Sequence, residues 1–255
     1  MSIFPLDSVR NATIDRHIEL LLEDVRQEIA GFPFSLDGEL DIQDVLEVYD
    51  LARPRLNVLA ASLSELRGAK GADIGTGFGF LPVLLARCGL QTLATETELS
   101  STQFAAAHGI EIRPYRIGCA APPIEPDSLD FLVLAEVLEH LKAPPKAVLR
   151  DLIPLLRRSG RFMLTTPNVA RMEHVQALVA GENFLEPFPE EVPAGGDPTD
   201  LIEHVREYSV REVVDAVEAS GLAVERVLMT GWGEAGYHPL PNPVANEIIV
   251  LIATK

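Results

Sequence analysis

A nine-residue stretch, Ala72-Asp73-Ile74-Gly75-Thr76-Gly77-Phe78-Gly79-Phe80, constrains this chain more than any other. Ala72-Asp73-Ile74 reads as the end of a buried strand, three alternate glycines as a turn, and Phe80 to Arg87 as a helix. With no Cβ in the way, such glycines let the backbone turn tightly and come close to a ligand. The helix start would then aim its first N–H groups and its positive dipole end at that ligand. Asp73 adds a carboxylate under the loop. A strand, glycine turn and helix in this order open a nucleotide-type cofactor site in a doubly wound sheet.

The dinucleotide fingerprint requires its third glycine at position 80, where this chain has Phe80 and carries the glycine at 79 instead. The pattern Asp-x-Gly-x-Gly-x-Gly resembles the first motif of class I S-adenosylmethionine-dependent methyltransferases. The resemblance implies that Asp73, Gly75, Thr76, Gly77 and Gly79 hold the amino-acid part of that cofactor. Counting 19 residues past Gly77 reaches Glu96, at the end of the second strand. A carboxylate there accepts hydrogen bonds from both ribose hydroxyls in doubly wound nucleotide folds.

Two further stretches carry the resemblance. Ile117-Gly118-Cys119-Ala120 precedes a Leu129–Ala135 strand and Glu136-Val137-Leu138-Glu139-His140-Leu141, and Gly160–Thr165 runs into Thr166-Pro167-Asn168. The second is similar to methyltransferases related to the ubiquinone-biosynthesis O-methyltransferases, as is His204-Val205-Arg206-Glu207-Tyr208-Ser209 before its helix. In that pattern an Asp usually holds the adenine amino group where Cys119 stands. The resemblance therefore leaves the adenine to the Cys119–Ala120 turn, through the backbone N–H of Ala120. Ala135 and Glu136 would line the crevice at the methionine end, and the substrate would enter beside Glu136, His140 and Asn168.

His140 fits a general base that takes a proton from a substrate hydroxyl or amine, since an ordinary imidazole titrates near ~6.5. It fits equally a residue bonding a backbone carbonyl. Methyl transfer from a sulfonium is an in-line displacement, so positioning supplies most of the catalysis. Glu136, His140 and His204 are the catalytic candidates. Glu136, Glu139 and His140, with His204 as a distant fourth group, also resemble the metal site of small-RNA 2′-O-methyltransferases. The motif recurs in metal-free relatives, and no metal is assigned. His17, His108 and His174 read as surface residues. Trp232, Tyr237 and His238 lie in a Gly- and Pro-rich loop that walls a pocket or plugs a sheet edge.

Composition narrows the partners. The chain has 255 residues, a 47% apolar fraction and a net charge of −17 from 21 basic and 38 acidic residues. Nucleic acid is bound by clustered Lys and Arg, so a small-molecule substrate is expected instead. No apolar run approaches the roughly 18 residues of a membrane span, and Met1–Pro5 lacks a signal-peptide layout. Cys88 and Cys119 form neither a disulfide framework nor a metal spacing. These features place the chain in the cytoplasm, away from membranes, and admit a homodimer.

The expected architecture is α/β: a Rossmann-like, doubly wound, seven-stranded, mostly parallel sheet with an antiparallel last strand. Residues 1–69 form an N-terminal helical extension or lid, and 70–255 the cofactor-binding domain. Strands are expected at 72–74, 91–95, 111–113, 129–135, 160–165, 223–229 and 247–253, with helices at 80–88, 99–108, 144–157, 169–180 and 209–220. Ile14, Ile18, Leu21, Leu22, Val25 and Ile29 form a helical stripe, a second helix starts near Asp41, and Pro54 breaks or restarts it. Residues 182–203, acidic and rich in Pro and Gly, form an insertion. The reading is an S-adenosylmethionine-dependent methyltransferase acting on oxygen or nitrogen of a small metabolite. The alternatives are a metal-assisted RNA 2′-O-methyltransferase-like enzyme, a non-catalytic S-adenosylmethionine-binding protein, or a nicotinamide oxidoreductase, against which Phe80 speaks.

Overall fold

The computed structural model describes residues 3–4, 10–28, 42–185, 187, 204–233 and 246–255. Three helices lead: α1 (Ala12–Glu28), α2 (Ile42–Leu51) and α3 (Arg53–Leu63). Pro54 restarts the chain as expected, standing in the first turn of α3, where its missing N–H costs nothing. Ile14, Ile18, Leu21, Leu22 and Val25 of α1 are all buried, as their spacing requires. Ile29 and Asp41, residues 186 and 188–203 of the insertion, Tyr237 and His238 lie outside the described residues.

From Lys70 the chain alternates: β2 (Lys70–Ile74), α4 (Phe80–Arg87), β3 (Gln91–Glu96), α5 (Gln103–Ala107), β4 (Glu111–Pro114), β5 (Leu129–Ala135), α6 (Pro145–Leu152), β6 (Leu156–Pro167), α7 (Met172–Ala180), α8 (Val210–Glu218), β7 (Ala223–Thr230) and β8 (Ile248–Thr254). With the two-residue β1 (Ile3–Phe4) at its edge, the sheet order is β1-β7-β8-β6-β5-β2-β3-β4. β8 runs antiparallel to β6 and β7, and the other pairs are parallel. All seven expected strands are present. An eighth, β1 (Ile3–Phe4), adds two residues beside β7, too short to carry a periodicity.

Side chains alternate between the faces of the sheet. Phe131, Val133 and Met163 pack with α1, α3 and α4 on one side. Leu132, Leu134, Phe162 and Leu164 pack with α6 and α8 on the other. β6 begins earlier than expected because Leu156 already pairs with Leu129. The register then slips before Phe131 pairs with Arg161, and Ser159 takes a φ of 65° at the irregularity. The expected helix at 99–108 is a 3-10 turn at Leu99–Thr102 followed by the short α5. Ser209 and Glu212 form the expected capping box at the start of α8. The chain leaves β2 toward β3 and β4 on one side and returns to β5 on the other. The crevice at the carboxyl ends of β2 and β5 is thus the switch point of the sheet.

Candidate active site

The glycine loop follows β2 at that switch point. Gly75, Gly77 and Gly79 have φ of 72°, 58° and 79°, a region that favours glycine. A Cβ on Gly75 would meet Val137 Cγ2 at 2.8 Å and one on Gly79 would meet Ala105 Cβ at 2.3 Å, whereas Gly77 faces open space. Two of the three glycines therefore serve packing, and Gly77 leaves room for a ligand. The Gly75 and Thr76 N–H groups both donate to Thr95 O at 3.0 Å, which ties the loop to β3.

Asp73 lies beneath the loop, 2% exposed. Thr76 Oγ1 donates to its Oδ2 at 2.6 Å. Burial, with a smaller push from Glu96, raises the Asp73 carboxyl to about 7, against the opposing effects of the Thr76 hydroxyl and Arg55. Glu96 is held in place: Gly77 N–H donates to its Oε2 at 2.7 Å and Thr97 N–H to its Oε1 at 2.6 Å. The Cys119–Ala120 turn is exposed, and Cys119 N–H closes it on Arg116 O at 3.2 Å.

A cavity of about 310 Å³ opens beside the loop, with Asp73, Gly75, Thr76, Gly77, Ala135 and Glu136 in its wall. Glu96 and the Cys119–Ala120 turn lie outside that wall. The opposite side is built by α2 and α3 through Val45, Tyr49, Arg55, Leu56 and Leu59. Tyr49 stacks on Phe80, with ring centroids 4.3 Å apart, and the N–H groups of Phe78 and Phe80 face its oxygen. Burial pushes its hydroxyl far above the ordinary phenol range. The first N–H groups of α4, expected to face a ligand, are thus met in part by a protein hydroxyl.

Arg55 is the residue that local pattern does not reveal. It is 9% exposed and, among the described residues, the only cation in the cavity wall. Its Nη1 lies 2.8 Å from Glu136 Oε2. That pair is not aligned as a hydrogen bond, and Nε has no hydrogen-bond partner among the described residues. A buried guanidinium with unspent donors calls for an acceptor. Arg55 is the second of two arginines flanking Pro54 in the first turn of α3, and nothing in that pattern separates it from Arg53.

The second cluster lies past β5. Glu139 is fully buried; Thr166 Oγ1 donates to its Oε2 at 2.9 Å, and its Oε1 has no hydrogen-bond partner among the described residues. Burial first, then the Glu136 charge, raises it to about 8. His204, expected as a distant group, stacks edge-on to His140 at 5.1 Å, and its Nδ1 meets Glu207 Oε1 at 3.2 Å. Ligand atoms of Glu139, His140 and His204 lie within 4.8 Å of one another. Glu136 stands apart from this group, its carboxylate held by Arg55 and by Thr165 Oγ1 at 2.7 Å.

Three expectations are corrected. His174 is not a surface residue: it is 5% exposed, pairs with Val169 O at 3.0 Å and stacks on Phe184. His17 and His108 are half-buried, and the His108 ring pairs with Phe104 O at 3.0 Å. Asn168 is fully buried and serves the backbone, donating to Asn246 O and accepting from Ala170 N–H, rather than lining the crevice.

A glycine loop at the switch point of this sheet, with a carboxylate at the end of the neighbouring strand, is the layout of a Rossmann-like, nucleotide-type cofactor site. The chain belongs to the family described as methyltransferase domain, whose profile matches residues 47–227. A ubiquinone biosynthesis O-methyltransferase of Xanthomonas oryzae is 30% identical over 140 residues, covering 53% of this chain and 58% of that protein. The magnesium protoporphyrin IX methyltransferase of Synechocystis, solved with bound S-adenosylhomocysteine, has the same fold. It superposes with a TM-score of 0.58 at 15% identity, over 91% of this chain and 94% of that one. An S-adenosylmethionine-dependent methyltransferase from Mesorhizobium loti gives 0.57 at 18% identity, over 80% and 98%. No described helix is long and apolar enough to cross a membrane.

Proposed function

We propose that this protein transfers a methyl group from S-adenosylmethionine to oxygen or nitrogen of a small molecule. The observation that carries the reading is Arg55, a buried guanidinium with unspent donors in a wall whose other charged groups are Asp73 and Glu136. One cation among carboxylates complements a ligand bearing one carboxylate, one ammonium and one sulfonium. When bound, that cofactor supplies an electrophilic methyl group. Arg55 receives its carboxylate and Asp73 faces its cationic end. Gly77 gives the backbone room to approach, Glu96 accepts from the ribose hydroxyls, and the Cys119–Ala120 turn borders the adenine. Residues 1–69 act as a lid through α2 and α3.

On the acceptor side, His140 takes the proton released from the nucleophile, and Glu207 orients the neighbouring His204 through Nδ1. The relative named as an O-methyltransferase makes an oxygen acceptor the first to try. Calorimetric titration of the metal-stripped protein with S-adenosylmethionine tests the reading. Micromolar binding is expected, and no binding with or without metal rejects it.

A second reading rests on the orphaned Glu139 Oε1 beside His140 and His204. A divalent cation held there would orient an acceptor oxygen, with Glu207 fixing the His204 ring from behind. Repeating the titration with Mg²⁺, Mn²⁺ or Zn²⁺ separates the two readings. Metal-dependent turnover lost in His204→Ala would favour this one.

A further inference from the structure

Glu136 occupies an unusual place. Its φ is 52°, a backbone conformation that glycine adopts freely and other residues adopt at a cost. The chain nevertheless presents a carboxylate there, held from two sides. Thr165 Oγ1 donates to Oε1 at 2.7 Å, and the Glu136 N–H donates to Thr165 O at 3.0 Å. The remaining oxygen, Oε2, lies against Arg55. Both partners are largely buried, with side chains 11% and 18% exposed, so solvent screens their attraction weakly.

A ligand carboxylate that reaches the unspent Arg55 donors comes up against the like charge of Glu136, whose Oε2 already lies 2.8 Å from Nη1. We propose that Glu136 stands in for the cofactor carboxylate and latches Arg55 while the cofactor is absent. Cofactor binding exchanges one anion for the other and releases Glu136 to the acceptor side of the cavity. The inference rests on the reading of Arg55 given above and adds a regulation to it: the acceptor-facing carboxylate becomes available only after the cofactor has bound.

The chain carries its own reporter. The Arg55 guanidinium carbon lies 5.4 Å from the ring centroid of Trp232, the single tryptophan of the protein. Gly233 N–H donates to Leu51 O at 2.6 Å, so the turn after β7 is tied to the end of α2, next to α3. An exchange of partners on Arg55 changes the surroundings of that indole.

The test titrates wild type and Glu136→Gln with S-adenosylhomocysteine and with adenosine, which lacks the carboxylate, by calorimetry and by Trp232 emission. In wild type, S-adenosylhomocysteine is expected to shift the emission and adenosine to leave it unchanged. Glu136→Gln is expected to bind S-adenosylhomocysteine roughly tenfold tighter, the scale of one partly buried ion pair no longer competing, and to bind adenosine unchanged. Thr165→Val, which frees one side of Glu136, is expected to tighten S-adenosylhomocysteine binding less, and keeps the test open if the first variant does not fold. Equal or weaker binding of S-adenosylhomocysteine in these variants overturns the latch, as does binding to wild type without an emission change. Either result leaves the cofactor reading standing. Failure of wild type to bind S-adenosylhomocysteine rejects that reading and the latch together.

Discussion

The Gly77 N–H donates to Glu96 Oε2 at 2.7 Å, joining the glycine loop to the end of the neighbouring parallel strand across 19 residues. The carboxylate proposed to receive the ribose is therefore already tied to the loop proposed to receive the methionine end. Both are set by the β2–β3 register, in which Asp73 pairs with Ala94 and Ile74 with Thr95.

Glu96→Ala removes both this anchor and the ribose acceptor. A hydrogen bond to a charged group contributes about 1.5–3 kcal/mol, so the affinity for S-adenosylmethionine is expected to fall about 10- to 100-fold. Calorimetry reads the change directly, and an unchanged affinity would remove Glu96 from the site.

Gly77→Ala and Gly79→Ala separate ligand space from packing. The Gly79 variant drives a Cβ into Ala105 at a φ of 79° and is expected to destabilise the fold by about 2 kcal/mol or more. At about 2–4 °C per kcal/mol for a chain of this size, the melting temperature drops by several degrees. The Gly77 variant meets nothing within 4 Å but places an alanine at a φ of 58°, so it is expected to lose about 1–2 kcal/mol of stability to backbone strain, without the Gly79 clash, and to lose cofactor affinity as well.

Asp73 makes both binding and stability depend on pH. Its carboxyl keeps its proton to about 7 in the folded protein and to about 4 in the unfolded chain. Between these values the folded state binds more protons. The stability that this group contributes is therefore complete below about pH 4 and is lost as pH rises through 7. Asp73→Asn is expected to melt like wild type near pH 4 and higher than wild type at pH 8. Because an ionised Asp73 suits a cationic ligand, wild-type affinity for S-adenosylmethionine is expected to rise from pH 6 to 8. Asp73→Asn should flatten that rise.

Cys119 lies in an exposed turn, at the position where the methyltransferase pattern that this chain resembles usually has an Asp. Cys119→Asp would add one acceptor for the adenine amino group. At about 0.5–1.5 kcal/mol for a net hydrogen bond, cofactor affinity is expected to rise between about twofold and tenfold. No gain would place the adenine elsewhere.

Short-range pattern was enough for the strand, glycine turn and helix at 72–87, for the position of Glu96 at the end of β3 and for the Ser209–Glu212 capping box. Each depends on residues close in sequence or on a repeating βα unit of nearly constant length, so spacing alone carries the geometry. The two-residue β1 and the early start of β6 escaped because pairing partners far along the chain create them.

The chemistry of the pocket divides along the same line. The sequence by itself determined the fold class, the glycine loop and the placing of Asp73, Glu96 and Glu136 at the carboxyl ends of β2, β3 and β5. Only the tertiary structure brought Arg55 and Tyr49 from the leading helices over that loop, joined His204 to His140, and set Trp232 against Arg55. Those neighbours lie tens to more than a hundred residues apart. Helical or strand periodicity reports which face of an element is buried, but packing in three dimensions decides which distant side chain it meets.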